Sequence, residues 1–145
     1  MSLQTDIVFY NAIKSDDDLM EMISNRVFNT VDEDGGEWGE NTDIPYIIIR
    51  NMGGQNDQST KDGYEGDTDT INISLEIAAN SREELANITQ KLREVVNGYF
   101  CNADVSDDYY ELIPQDYQLS FSSVEYDWSK PCYWQILSYQ CDTNV

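Results

Sequence analysis

The chain has 145 residues, of which 28 are acidic and 8 basic, giving a formal charge of −20, and it contains no histidine. Its length suits one domain, and 40% apolar with 12% aromatic residues is enough material for a core, so disorder is not the expectation. The eight cations are scattered, whereas a surface that grips a phosphate backbone or an anionic membrane clusters them; tight nucleic-acid and membrane binding are therefore not expected.

Residues 5–13 predict a first helix, capped by Thr5, with Ile7, Tyr10 and Ile13 at helical spacing. Ser15 is positioned to cap a second short helix. Asp16, Asp17 and Asp18 fill its first turn, where the helix dipole favours negative charge, and Leu19, Met22 and Ile23 supply its apolar face up to Asn25. Val27-Phe28 reads as a short extended piece, and residues 32–43 as an acidic, Gly-containing loop around Trp38.

Pro45 opens a strand through Tyr46-Ile47-Ile48-Ile49, whose unbroken apolar run predicts burial on both faces or oligomer contact on one. Residues 51–68 form a long polar loop, and a structureless loop of that length is often functional. Over 69–78, Ile71, Ile73, Leu75 and Ile77 alternate with Asn72, Ser74 and Glu76, which predicts a half-buried strand antiparallel to 45–51.

Ser81-Arg82-Glu83-Glu84 is a capping box opening a helix to about Tyr99, with Leu85, Ile88, Leu92, Val95 and Tyr99 as its buried stripe. Residues 101–117 are acidic and irregular and hold Tyr109 and Tyr110. Strands 118–126 and 132–141 follow, joined by a turn at 127–131. This order of elements predicts an α+β fold in one domain, an antiparallel sheet of about four strands with helices on one face.

Catalytic signatures are missing from the pattern. General acid–base work near neutrality usually recruits histidine, and Ser or Cys nucleophiles need a base beside them. Among 28 acids, carboxylate pairs arise by chance, so they do not identify a glycosidase. Cys101, Cys132 and Cys141 contain no CxxC pair and read as free thiols in a reducing compartment. Gly53-Gly54 does not precede a helix, as a phosphate loop would, and Asp32-Glu33-Asp34-Gly35-Gly36 fails the calcium-loop template. No enzyme activity, cofactor or metal is expected. No basic stretch followed by an apolar run marks a signal peptide at the N-terminus, and the apolar runs are too short to span a bilayer.

Ile44-Pro45-Tyr46-Ile47-Ile48-Ile49, the polar loop, the alternating strand 70–77 and the helix start Asn80-Ser81-Arg82-Glu83-Glu84-Leu85 stand in a recognisable order. With the short helical start and the last strand from Tyr133 to Cys141, the chain from about 3 to 141 resembles the tail terminator (tail-completion, or head–tail joining) proteins of long-tailed bacteriophages and prophages. The resemblance implies a hexameric ring in the virion tail, assembled in the bacterial cytoplasm. Such a ring caps the tail tube and meets tail-tube and head-connector proteins, with no cofactor and no catalytic residue.

Ring contacts are expected on the 45–51/69–78 hairpin and on 132–141 as an edge strand, with Tyr46, Ile48, Tyr133 and Trp134 as candidate anchors; burial in the core is the competing reading of these four. Asp57, Asp62, Glu65, Asp67 and Asp69, in or beside the long loop, are candidates for lining a lumen, where they would repel DNA within about 8 Å at physiological salt. The outer surface suits them equally well. The loop itself has the polar composition of a segment that orders on assembly. Two rivals share the composition: an acidic DNA mimic that inhibits a DNA-binding protein, and a head-closure or adaptor ring of the same kind of virion.

Overall fold

Alternation of branched apolar residues with polar ones builds long strands here, and the helices exist to cover one side of them. The computed structural model describes residues 5–29, 43–57, 68–102 and 116–144. Their order is α1 (Thr5–Lys14), α2 (Asp17–Met22), β1 (Val27–Asn29), β2 (Tyr46–Asp57), β3 (Thr68–Ala79), α3 (Arg82–Asn102), β4 (Asp116–Phe121), β5 (Glu125–Asp127) and β6 (Cys132–Asn144).

The fold is α+β, as expected, but the sheet has six strands and is mixed. Its order is β1-β2-β3-β6-β4, with β5 also on β6. The parallel pair is β1 with β2, in the register Val27↔Ile47. A parallel neighbour needs a crossover of a dozen or more residues, and residues 30–45 provide that length. The stretch 118–126 is two strands rather than one: β4 pairs with β6 as far as Phe121↔Leu137, and β5 resumes at Glu125↔Trp134. At the break, Ser122 takes over from a strand rung, donating its N–H to the Ile136 carbonyl and accepting from the Ile136 N–H at its Oγ. Strand β6 is therefore interior, between β3 on one side and β4 and β5 on the other, and the expectation of an edge at 132–141 is corrected.

The hairpin of β2 and β3 matches the expected antiparallel pair and extends further, from Tyr46↔Ala78 to Asp57↔Thr68. Twelve residues of strand run roughly 40 Å, so residues 51–57 and 68 of the expected loop belong to the ladder, and 58–67 lie outside the described residues. A bulge interrupts the ladder between Asn51 and Gly54. Gly53 there has φ +82°, and its N–H donates to Asn51 Oδ1. At Gly54 a Cβ would collide with the Thr70 carbonyl, so the two backbones approach as only glycine allows.

The core lies between one sheet face and the helices. Ile47, Ile49, Ile71, Ile73, Leu75, Ile77, Leu137 and Tyr139 meet Leu85, Ile88, Leu92 and Val96 of α3, Val8, Phe9 and Ile13 of α1, and Leu19 of α2. Two helix stripes are rotated slightly from their expected positions. Val96 is fully buried where Val95 was expected, and in α1 Val8, Phe9 and Ala12 are buried while Ile7 and Tyr10 are half-exposed. Asp16, not Ser15, caps α2 by accepting from the Leu19 N–H at 2.9 Å; the Ser15 hydroxyl donates to the Ala12 carbonyl and closes α1. The capping box at α3 forms as expected on one side, Glu84 N–H to Ser81 Oγ at 3.1 Å, while the Glu84 carboxylate accepts from the Asn80 N–H.

Candidate interaction surface

Strand alternation assigns the residues opposite the helices. Tyr46, Ile48 and Arg50 of β2 share that face with Asn72, Ser74, Glu76 and Ala78 of β3 and with Trp134, Ile136, Ser138 and Gln140 of β6. Among the described residues no helix packs on it. One rung reads Tyr46–Ala78–Trp134, so two large aromatic residues flank the smallest side chain of the row. The next reads Ile48–Glu76–Ile136.

Three of the four candidate anchors, Tyr46, Ile48 and Trp134, therefore lie on one face. Tyr133 points the other way, onto the core, and pairs across β5 with Tyr126 at a ring-centroid distance of 4.9 Å. Ile48 is only 1% exposed, so the both-faces burial expected from its apolar run is observed and the residue itself offers almost no contact area. Tyr46 and Trp134 are half-buried.

Polar groups around Tyr46 are paired. Lys130 Nζ sits 5.0 Å from the Tyr46 ring centre, and Arg50 meets Glu76 at 3.3 Å. Burial, followed by the Glu76 charge, pushes the Tyr46 phenol up to about 12. Burial likewise raises the Cys132 thiol above its ordinary value, and Cys141 to about 12, so both thiols stay protonated at neutral pH and are poor nucleophiles. On the helix side, Tyr139 is fully buried, its hydroxyl 3.1 Å from Asn97 Oδ1. Among the described residues no group of three or more Cys, Asp or Glu side chains could hold a metal ion.

Of the candidate lumen acids, Asp57 ends β2 opposite Thr68, and Asp69 is half-buried in β3 opposite Asn56. The two stand on adjacent rungs at the far end of the hairpin from Tyr46. Asp62, Glu65 and Asp67, and with them most of the segment expected to order on assembly, lie outside the described residues, as do Trp38, Tyr64, Tyr109 and Tyr110.

Of the free sides of the sheet, sequence reasoning marks the turn aromatic Trp128, with a partner surface as one reading and core burial as the other. Phe121 at the end of β4, Val124 in the break before β5 and Trp128 in the turn from β5 to β6 are exposed, Trp128 to 84%; Met52 is exposed at the bulge of β2, across the sheet from β4. The Asp127 carboxylate builds the Trp128 turn by accepting from Ser129 Oγ and from the Ser129 N–H; these bonds hold its pKa below the usual range. Tyr126 packs edge-on against the indole at 4.6 Å, so Trp128 is held outward by its neighbours. Nearby, a groove of about 570 Å³ runs along α3 beside Gln90, Asn97 and Gln135, and at its rim Arg93 stacks over the Phe121 ring at 5.7 Å. The sequence signals for these edges are the turn aromatic Trp128 and two uncharged stretches, 51–56 and 117–124, in an acidic chain.

No family model and no curated protein matches the sequence. Among solved structures, a chain of the virion of a native gene transfer agent particle is similar in fold, with a TM-score of 0.54 over 97% of this chain and 94% of that one, at 9% identity.

Proposed function

We propose that this protein is a structural subunit of a phage-type virion, and within it the tail terminator, which caps the tail tube and joins it to the head connector. The observation that carries this reading is the end-to-end fold correspondence with a virion chain, which leaves neither protein a large unmatched part. The sequence resemblance to tail terminators supports the narrower role. The protected thiols and phenol, and the paired ions around Tyr46, support work by contact rather than by catalysis. The charge of −20 suits a ring through which DNA passes without being held.

Deleting the gene from its phage or prophage and imaging the products tests the role. The expected outcome is DNA-filled heads separate from tails, the tails of irregular length, with joining restored by the gene in trans. Normal tailed particles without the protein overturn the proposal. Joined particles with an empty or leaking head reassign it to a head-closure or adaptor ring.

A further inference from the structure

We infer that the groove between α3 and β6 is a docking site for an acidic peptide segment of another protein, whose carboxylate meets Arg93. The site goes beyond the virion role and does not depend on it. Along α3, Ala86, Gln90, Arg93 and Asn97 recur at helical spacing, so they share the face that borders the groove, and Gln135 of β6 lines it from the sheet. The volume of about 570 Å³ lies in the range of clefts that take a ligand. Phe121, 61% exposed, marks the open rim beside Arg93.

Polar groups without partners set the chemistry of the occupant. The Thr89 hydroxyl, on the helix wall of the groove, is buried with no hydrogen-bond partner among the described residues, a state that folded proteins rarely leave. The Tyr139 hydroxyl donates to Asn97 Oδ1 at 3.1 Å, which leaves the Asn97 Nδ2 donors unmet among the described residues. Gln135 Nε2 donates to the Ser122 carbonyl at 2.9 Å, which leaves its Oε1 as an acceptor. A donor on the helix wall and an acceptor on the sheet wall match the C=O and N–H of a peptide backbone. Arg93 adds the charge. It makes no ion pair among the described residues of a chain with 28 acids, and its guanidinium stacks on Phe121 instead. A guanidinium offers a carboxylate two parallel N–H donors. Glu94 also lines the groove, but its carboxylate is held by Gln90 at 3.5 Å; it opposes an incoming anion and limits the affinity. The unpaired cation thus selects an acidic segment, and the two amides select a peptide over a free anion.

The test is a nuclear magnetic resonance titration of the full chain with the peptide acetyl-Ala-Leu-Glu-Leu-Ala-amide, at about 0.15 M salt, where the chain's own acids are screened beyond about 8 Å. The same peptide with Gln in place of Glu, and sodium acetate, are the controls. The expected result is a saturable shift of the Asn97 side-chain amide and Arg93 Nε–H signals by the Glu peptide, with binding at least about tenfold weaker for the Gln peptide and for acetate. Arg93→Gln should abolish the preference for the Glu peptide, and Glu94→Gln should tighten its binding by about threefold or more. Both residues are exposed, so the melting temperatures should match wild type. Equal binding of the two peptides overturns the carboxylate contact, and acetate binding as tight as the Glu peptide overturns the backbone contact. Signals that stay still, or binding that survives Arg93→Gln and moves only residues outside α3 and β6, overturn the site. The gene deletion judges the virion role independently of every one of these outcomes.

Discussion

The two faces of this sheet hold similar strands in different ways. Toward the helices, every rung of β3 and β6 from Ile71↔Cys141 to Leu75↔Leu137 is buried and apolar apart from one tyrosine hydroxyl, which has a partner. Away from them, burial is concentrated at one end, at Ile48, and fades toward Asn72, Ser138 and Gln140, which are exposed. A covered face stabilises by removing area from water. The uncovered face holds its shape through local pairs such as Arg50 with Glu76 and Tyr46 with Lys130. Burial is thus concentrated on one face of a single sheet.

Leu75→Ala should mark the strong side. It leaves a cavity between β3 and α3, and a loss of about 2–5 kcal/mol is expected by urea denaturation. A loss under 1 kcal/mol would mean that the helices pack loosely. Gly54→Ala tests the bulge: its Cβ meets the Thr70 carbonyl, so the β2–β3 ladder must shift, at about 1–3 kcal/mol in the same measurement. If it is neutral, the close approach of the two strands is wrong. Ser81→Ala removes the cap of α3 and should cost about 1 kcal/mol, seen also as faster amide exchange in the first turn.

Alkali probes the uncovered side. The Tyr46 pKa of about 12, against 10.0 for a free tyrosine, means that the folded chain favours the neutral phenol. Its stabilising effect is whole below pH 10 and is lost between about pH 10 and 12, because the unfolded chain ionises first. Tyr46→Phe should therefore move the alkaline unfolding midpoint upward; an unmoved midpoint would place Tyr46 in open water. The smallest effect belongs to the half-exposed Arg50–Glu76 pair, for which a double-mutant cycle should give a coupling below about 1 kcal/mol that shrinks with added salt.

Local signals were legible in the sequence wherever a residue's neighbours along the chain decided its state. The alternation of 70–77, the capping box at Ser81 and the both-faces burial of Ile48 are each set by short-range period or by a side chain reaching its own backbone. The α2 cap misled by one residue because Ser15 and Asp16 are both competent caps, and which of them acts depends on where α1 stops. The candidate anchors separated for a similar reason. Tyr133 and Trp134 are adjacent, so a strand must send them to opposite faces, and composition does not say which face the helices take.

By itself, the sequence determined the helices, the existence of most strands though not all their bounds, the α+β class and a composition without histidine, since these follow from periodicity and composition. Only the tertiary structure decided strand order: that β6 is interior, that β1 joins in parallel, and that the exposed apolar residues at Met52 and Phe121 sit on opposite sides of one sheet. Strand order depends on pairings between residues far apart in the chain, and no local pattern records which edge is left uncovered.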